Sequence, residues 1–106
     1  MKRLPYTAIA ASGSALDIRF PLHRETRSEE AVAAMLSAVL EALSASLASR
    51  QGVSDGDVLQ SLAMAMSIRA RMVDATPAVS LRLMHELIDE AFAAALDATS
   101  YPAARA

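Results

Sequence analysis

The segment that comes closest to a metal-binding motif is His85-Glu86-Leu87-Ile88-Asp89. A zinc-protease motif needs two histidines four residues apart on one helix face, with a glutamate directly after the first histidine. Asp89 stands where the second histidine is required, and the other histidine of the chain, His23, lies on an unrelated segment. We therefore expect His85 to lie at the border of a buried helix face, with no metal and no other cofactor.

Three carboxylates of the same segment, Glu86, Asp89 and Glu90, raise the question of acid/base catalysis. Such a site requires two carboxyl groups to converge in a cleft. At helical spacing these three spread around the exposed side of the helix. The chain also has no cysteine and no Gly-x-Ser-x-Gly, and its three glycines form no phosphate-binding loop. The sequence therefore predicts a solvated acidic face and no enzymatic activity.

Arg69 is the charged residue whose position is hardest to explain by solvation alone. On a helical wheel it falls between Val58 and Leu62, on an otherwise apolar face. A cation there must extend to water or meet an anion. Glu41 or Asp89 could provide an ion pair within the chain. The alternative is a carboxylate of a ligand or partner that enters the helix interface.

A set of methionines recurs at helical spacing. Flexible thioether side chains suit adaptable peptide-binding grooves, although they also fill ordinary cores. Both interpretations stay open from the sequence alone. The set comprises Met35, Met64, Met66, Met72 and Met84.

A nucleic-acid interpretation starts from the segment Leu16–Phe20. Leu16, Ile18 and Phe20 alternate with Asp17 and Arg19, which predicts a strand with one buried face. Upstream, residues 6–10 could form a second strand, joined through residues 12–14 as a hairpin.

This strand is followed by a long helix and then by Gly52-Val53-Ser54, which opens a second helix. The order of elements resembles that of the ribbon-helix-helix repressors, whose paired strands enter the major groove. The resemblance implies that Asp17 and Arg19 face the bases. DNA binding is therefore the alternative to a function in protein interaction.

Three helices are predicted after the strand. The first starts at Thr26 or Ser28 and ends near Gly52, and the second starts at Ser54 and is apolar on two sides. The third runs from Pro77 to about residue 98. Its inward face is predicted to comprise Leu81, Met84, Leu87, Ile88, Ala91, Phe92 and Ala95.

Composition favours closely packed helices, since 54% of the 106 residues are hydrophobic but only 4% are aromatic. The formal net charge of -2 gives no general attraction to phosphate or anionic lipid, although residues 1–27 alone carry five cationic and two acidic side chains. We see no stretch close to the roughly 20 uninterrupted apolar residues of a membrane span. We therefore expect a cytoplasmic protein without a membrane partner.

The predicted fold is mainly α: a three-helix bundle of residues 28–100, preceded by a strand or hairpin arm of residues 1–27 and followed by a tail of residues 101–106. We expect this single domain to form a homodimer, because a lone hairpin is marginally stable and the second helix is apolar on two sides. The predicted function is a non-catalytic helical protein-protein interaction module, a scaffold, adaptor or regulator that binds itself or another protein. Its predicted contact residues are Leu40, Leu43, Met64, Ile68, Arg69 and Met72.

Overall fold

The structure, a computed structural model, describes residues 2–10 and 12–103 of the chain. Its elements in chain order are β1 (Arg3–Ile9), β2 (Ser14–Pro21), α1 (Glu29–Ala48), α2 (Asp55–Arg71), α3 (Pro77–Leu96) and β3 (Thr99–Pro102). The chain divides into two compact units. One comprises residues 1–33 and 85–106 and contains the three strands, and the other comprises residues 34–84 and contains α2.

The predicted fold class is wrong, although the described residues are 56% helical. The strands form one antiparallel sheet in the order β1-β2-β3, so residues 3–21 are part of a sheet and are not an arm. Tyr101 and Pro102, expected in a frayed tail, form the end of β3, whereas residues 104–106 lie outside the described residues. The three-helix bundle is not confirmed, since none of the three described helices contains a buried residue.

The hairpin between β1 and β2 closes through a short turn. The N–H of Ala10 donates to the carbonyl of Ser14 at 2.8 Å, and the N–H of Gly13 donates to the carbonyl of Ala10 at 2.9 Å. Gly13 has a φ of 88°, a backbone conformation that side chains with a Cβ rarely adopt. The choice between one strand and a hairpin, left open by the sequence, is therefore settled in favour of the hairpin.

The buried residues of the described chain all lie in the sheet. The register places Leu4 opposite Phe20 and Tyr6 opposite Ile18, so these four side chains share one face. Leu4 and Ile18 are buried on that face, and Ala15 is buried on the other. The core is therefore centred on β2, the middle strand, as the alternation of Leu16, Ile18 and Phe20 predicts.

Prolines occupy the outer positions of both edge strands. The N–H of Leu22 bonds to the carbonyl of Lys2, which fixes the even-numbered residues of β1 as those that bond to β2. Pro5 therefore points its nitrogen away from the sheet. On the other edge, the N–H of Ala103 donates to a carbonyl of the β1–β2 turn. The nitrogen of the preceding residue, Pro102, therefore points away from the sheet, as that of Pro5 does. Each edge strand therefore lacks one of the backbone N–H donors that a further strand would need for pairing.

The helix starts agree with the capping residues in the sequence. Ser28 accepts the N–H of Ala31 at 3.1 Å, so Ser28 is the cap of α1. Ser54 and Asp57 form a reciprocal capping box at α2, with both bonds at 3.1 Å. Thr76 accepts the N–H of Val79 at 3.3 Å, directly before the proline that opens α3.

Candidate interaction surfaces

Helix α2 carries two apolar stripes, as its sequence predicts. The first stripe is half-covered and comprises Val58, Leu62, Met66 and Ala70. The second consists of Met64, Ile68 and Met72, which follow one another at intervals of four residues and therefore line one side of the helix. Their exposed fractions are 56%, 58% and 65%. We call these three residues the α2 stripe.

The other predicted contact residues are placed differently. Leu40 is 37% exposed, less than Met35, Val39 or Leu47 on the same helix, and Leu43 is half-covered. Arg69 is exposed, and its Nη1 donates to the Sδ of Met72 at 3.3 Å. Arg69 is thus adjacent to the α2 stripe and is not enclosed on the apolar face.

Glu41, one of the two acids considered as an ion-pair partner of Arg69, does not pair with it within the described part of the chain. The guanidinium is therefore solvated, which agrees with its exposed position near the end of α2.

Helix α3 also has two apolar sides, and here part of the sequence prediction is wrong. Leu81, expected to face inward, is 52% exposed. Ile88 and Phe92, also expected to face inward, are exposed together with Leu96, at 50%, 62% and 72%. Their spacing of four residues again defines one line along the helix, which we call the α3 stripe. The half-covered side is elsewhere and includes Leu83, Leu87, Ala91 and Ala94.

The five methionines do not share one environment. Met35, Met64 and Met72 are exposed, whereas Met66 and Met84 are half-covered. Although the five methionines recur at helical spacing, they therefore do not line one common groove. Two of the three exposed methionines belong to the α2 stripe.

The segment around His85 carries no cluster of metal ligands. His85 and Asp89 are exposed, and Glu86 and Glu90 are half-covered. Within residues 2–10 and 12–103, no three His, Cys, Asp or Glu side chains come together as a metal site would require.

A hydrogen-bonded group crosses all three strands on the polar face of the sheet. Asp17 lies directly opposite Thr7, and its Oδ1 accepts the hydroxyl of Thr7 at 2.7 Å and that of Tyr101 at 3.0 Å. The hydrogen bond to Asp17 raises the pKa of Tyr101 above its ordinary value of 10.0, and desolvation and the Asp17 charge raise it further. The bond attaches the short β3 strand to the rest of the sheet.

Substitution of Asp17 should change the titration of Tyr101. We expect Asp17→Asn to lower the pKa of Tyr101 toward 10.0, because a neutral amide accepts the hydrogen bond of Tyr101 more weakly than a carboxylate and carries no charge that opposes phenolate formation. Phenolate absorbance against pH measures this, with Tyr101→Phe assigning the signal. Asp97→Asn removes an equal charge without removing the bond and should leave the titration unchanged. An identical Tyr101 pKa in Asp17→Asn would contradict the bond.

The same group determines how pH acts on the sheet. Because the folded chain raises the pKa of Tyr101, its bond to Asp17 is present below pH 10 and is lost as the pH rises through the raised pKa. We therefore expect β3 to detach more readily in strong alkali.

The residues that the ribbon-helix-helix resemblance places on DNA, Asp17 and Arg19, are both exposed on the polar face of β2. The Oδ1 of Asp17 already accepts two hydroxyls, and the carbonyl of Arg19 accepts the Nη1 of Arg3 at 3.1 Å. Strand β2 pairs with β1 on one side and β3 on the other. Over the paired residues it therefore has no free edge for a strand of another chain.

Helix α1 meets the length and hydropathy criteria for a membrane span, contrary to the expectation from the sequence. It has 20 residues, and its most apolar window has a mean hydropathy of 1.8 and is not buried. Glu41 falls near the middle of the helix, where an ionised side chain costs roughly 3 kcal/mol in a bilayer.

Comparisons with protein-family models, with curated proteins and with solved structures gave no match to this chain.

Proposed function

We propose that the chain is a non-catalytic, helical protein-protein interaction module that associates with a second copy of itself. The observation that carries this proposal is the distribution of apolar side chains. The buried residues, Leu4, Ala15 and Ile18, all lie in the sheet, whereas large apolar side chains of every helix are exposed. Exposed apolar surface on this scale is typical of an interaction site.

The elements available for the contact are the helices. Strand addition is disfavoured because Pro5 and Pro102 remove donors from the two outer edges of the sheet. The α2 stripe and the α3 stripe contain no charged residue, so their burial costs no desolvation of an ion. Full burial of one side chain of the size of Ile68 or Phe92 contributes about 1.5–3 kcal/mol.

A second copy is the partner that these features favour. The net charge of -2 is too small for strong repulsion between two identical chains. In a two-fold symmetric contact, each stripe is used twice, once from each chain, so one exposed apolar surface covers another of the same character.

The experiment that tests the proposal records isotope-filtered NOEs in an equal mixture of labelled and unlabelled chains. We expect intermolecular NOEs from the methyl groups of Met64, Ile68 and Met72, because these side chains are exposed within one chain. The methyl group of Ile18, which is buried in the sheet, should show only intrachain NOEs and is the control. If the α2 stripe gives intrachain NOEs alone, it is not the contact surface.

A further inference from the structure

A cavity of about 440 Å³ opens where the end of the sheet meets the start of α1. It forms because the N–H of Leu22 bonds to the carbonyl of Lys2 at 2.9 Å, which brings the start of the chain beside the segment that leads into α1. All of its lining residues belong to the unit that contains the sheet. They are Lys2, Leu22, His23, Arg24, Thr26, Arg27 and Glu29.

The charge of this cavity is strongly biased. Lys2, Arg24 and Arg27 are cationic, and Glu29 is the one acid among the lining residues. The Nζ of Lys2 lies 3.5 Å from the Oε1 of Glu29, so part of the acid's charge is already compensated. Arg24 and Arg27 have no acidic partner within the described residues and are free to bind an anion.

His23 adds an oriented donor. Its side chain is only 13% exposed, and its Nδ1 accepts the N–H of Glu25 at 3.2 Å. An imidazole that accepts at Nδ1 carries its proton on Nε2, which is then a hydrogen-bond donor. Thr26 also lines the cavity, and its hydroxyl is a second neutral group that can donate a hydrogen bond. The cavity thus combines two guanidinium groups, an ammonium group and two neutral donors.

We propose that this cavity binds a small organic phosphate monoester. Guanidinium groups bind phosphate through paired, charge-assisted hydrogen bonds, which suits Arg24 and Arg27. The cavity is much larger than an inorganic phosphate ion and falls within the size range of small-molecule sites. Leu22 and the aliphatic stems of the basic residues offer apolar surface for the organic part.

The test is a titration of the intact, isotope-labelled chain with phenyl phosphate, followed by backbone amide shifts and by calorimetry. We expect saturable binding with shifts concentrated in Lys2 and in residues 22–29. The double substitution R24A/R27A should weaken binding at least about tenfold, because it removes both guanidinium groups. The matched control R71A/R82A removes two exposed arginines outside the cavity and should leave the affinity unchanged.

A second variant distinguishes binding from a merely structural role. Glu29→Gln removes the acid from the cavity and should tighten binding of phenyl phosphate, a gain that damage to the fold would not produce. Glu30→Gln, at the exposed neighbour that does not line the cavity, should have a smaller effect.

Three results would overturn the proposal. The first is an unchanged affinity in R24A/R27A, and the second is equal affinity for inorganic phosphate and phenyl phosphate, which would exclude an organic phosphate as the preferred ligand. The third is binding of duplex DNA with no response to phenyl phosphate, which would assign these cations to a nucleic-acid backbone.

Discussion

Ile68→Glu should convert the associated protein into monomers. Ile68 is the middle residue of the α2 stripe and is 58% exposed within one chain. A carboxylate at that position would have to be desolvated in each of the two copies. We expect the dissociation constant to rise at least about 30-fold, equivalent to about 2 kcal/mol, as for an interface hot spot. Sedimentation velocity at several protein concentrations measures this.

The matched control is Ala63→Glu, which adds the same charge to an exposed position of α2 on a different side of the helix from the α2 stripe. It should leave the dissociation constant nearly unchanged, because a surface charge far from the contact has little effect. Helical circular dichroism of both variants at low concentration separates loss of association from loss of the fold. Equal association of Ile68→Glu and the native chain would exclude the α2 stripe from the contact.

Ile18→Ala should strongly destabilise the sheet. Ile18 is 6% exposed, lies in the middle strand and faces the same side as Leu4 and Phe20. Truncation of a buried isoleucine to alanine leaves a cavity and typically costs about 2–5 kcal/mol. With so few buried side chains, the described chain offers little else that could compensate. Urea unfolding, fitted at one fixed protein concentration, measures the loss in the free energy of unfolding.

Ile9→Ala is the control for the same chemical change in the same sheet. Ile9 lies at the end of β1 and is 65% exposed, so its truncation should change the free energy of unfolding by no more than about 0.5 kcal/mol. A cost for Ile9→Ala as large as that for Ile18→Ala would mean that Ile9 is covered in the assembled protein. It would also contradict a core centred on β2.

The local features of the fold could be predicted from the sequence. Ser28, Ser54 and Thr76 cap helices through bonds to residues three positions away, so their effect is encoded within one turn. The alternation of residues 16–20 predicts β2 in the same way. The two apolar sides of α2 could be predicted from spacing alone, and the role of Met64, Ile68 and Met72 as contact residues stays a prediction.

The features that depend on distant parts of the chain could not be predicted in this way. Strand β3 has four residues and no alternating pattern, and it forms because Tyr101 and its neighbours pair with β2 far away in sequence. Ile88 and Phe92 have the spacing of an inward face, but periodicity does not specify which of two apolar sides is covered. The cavity at His23 was missed because the pairing of Lys2 with Leu22 completes it.

The most direct test of the central claim, self-association through exposed helix surfaces, is the mass of the intact chain by sedimentation equilibrium across a wide range of concentrations. The account predicts a concentration-dependent species of twice the 11.2 kDa chain mass, formed in buffer without detergent. A mass of 11.2 kDa at every concentration, with the helices still folded, would contradict it. Flotation of the chain with lipid vesicles in place of self-association would also contradict it, and would assign α1 to a membrane.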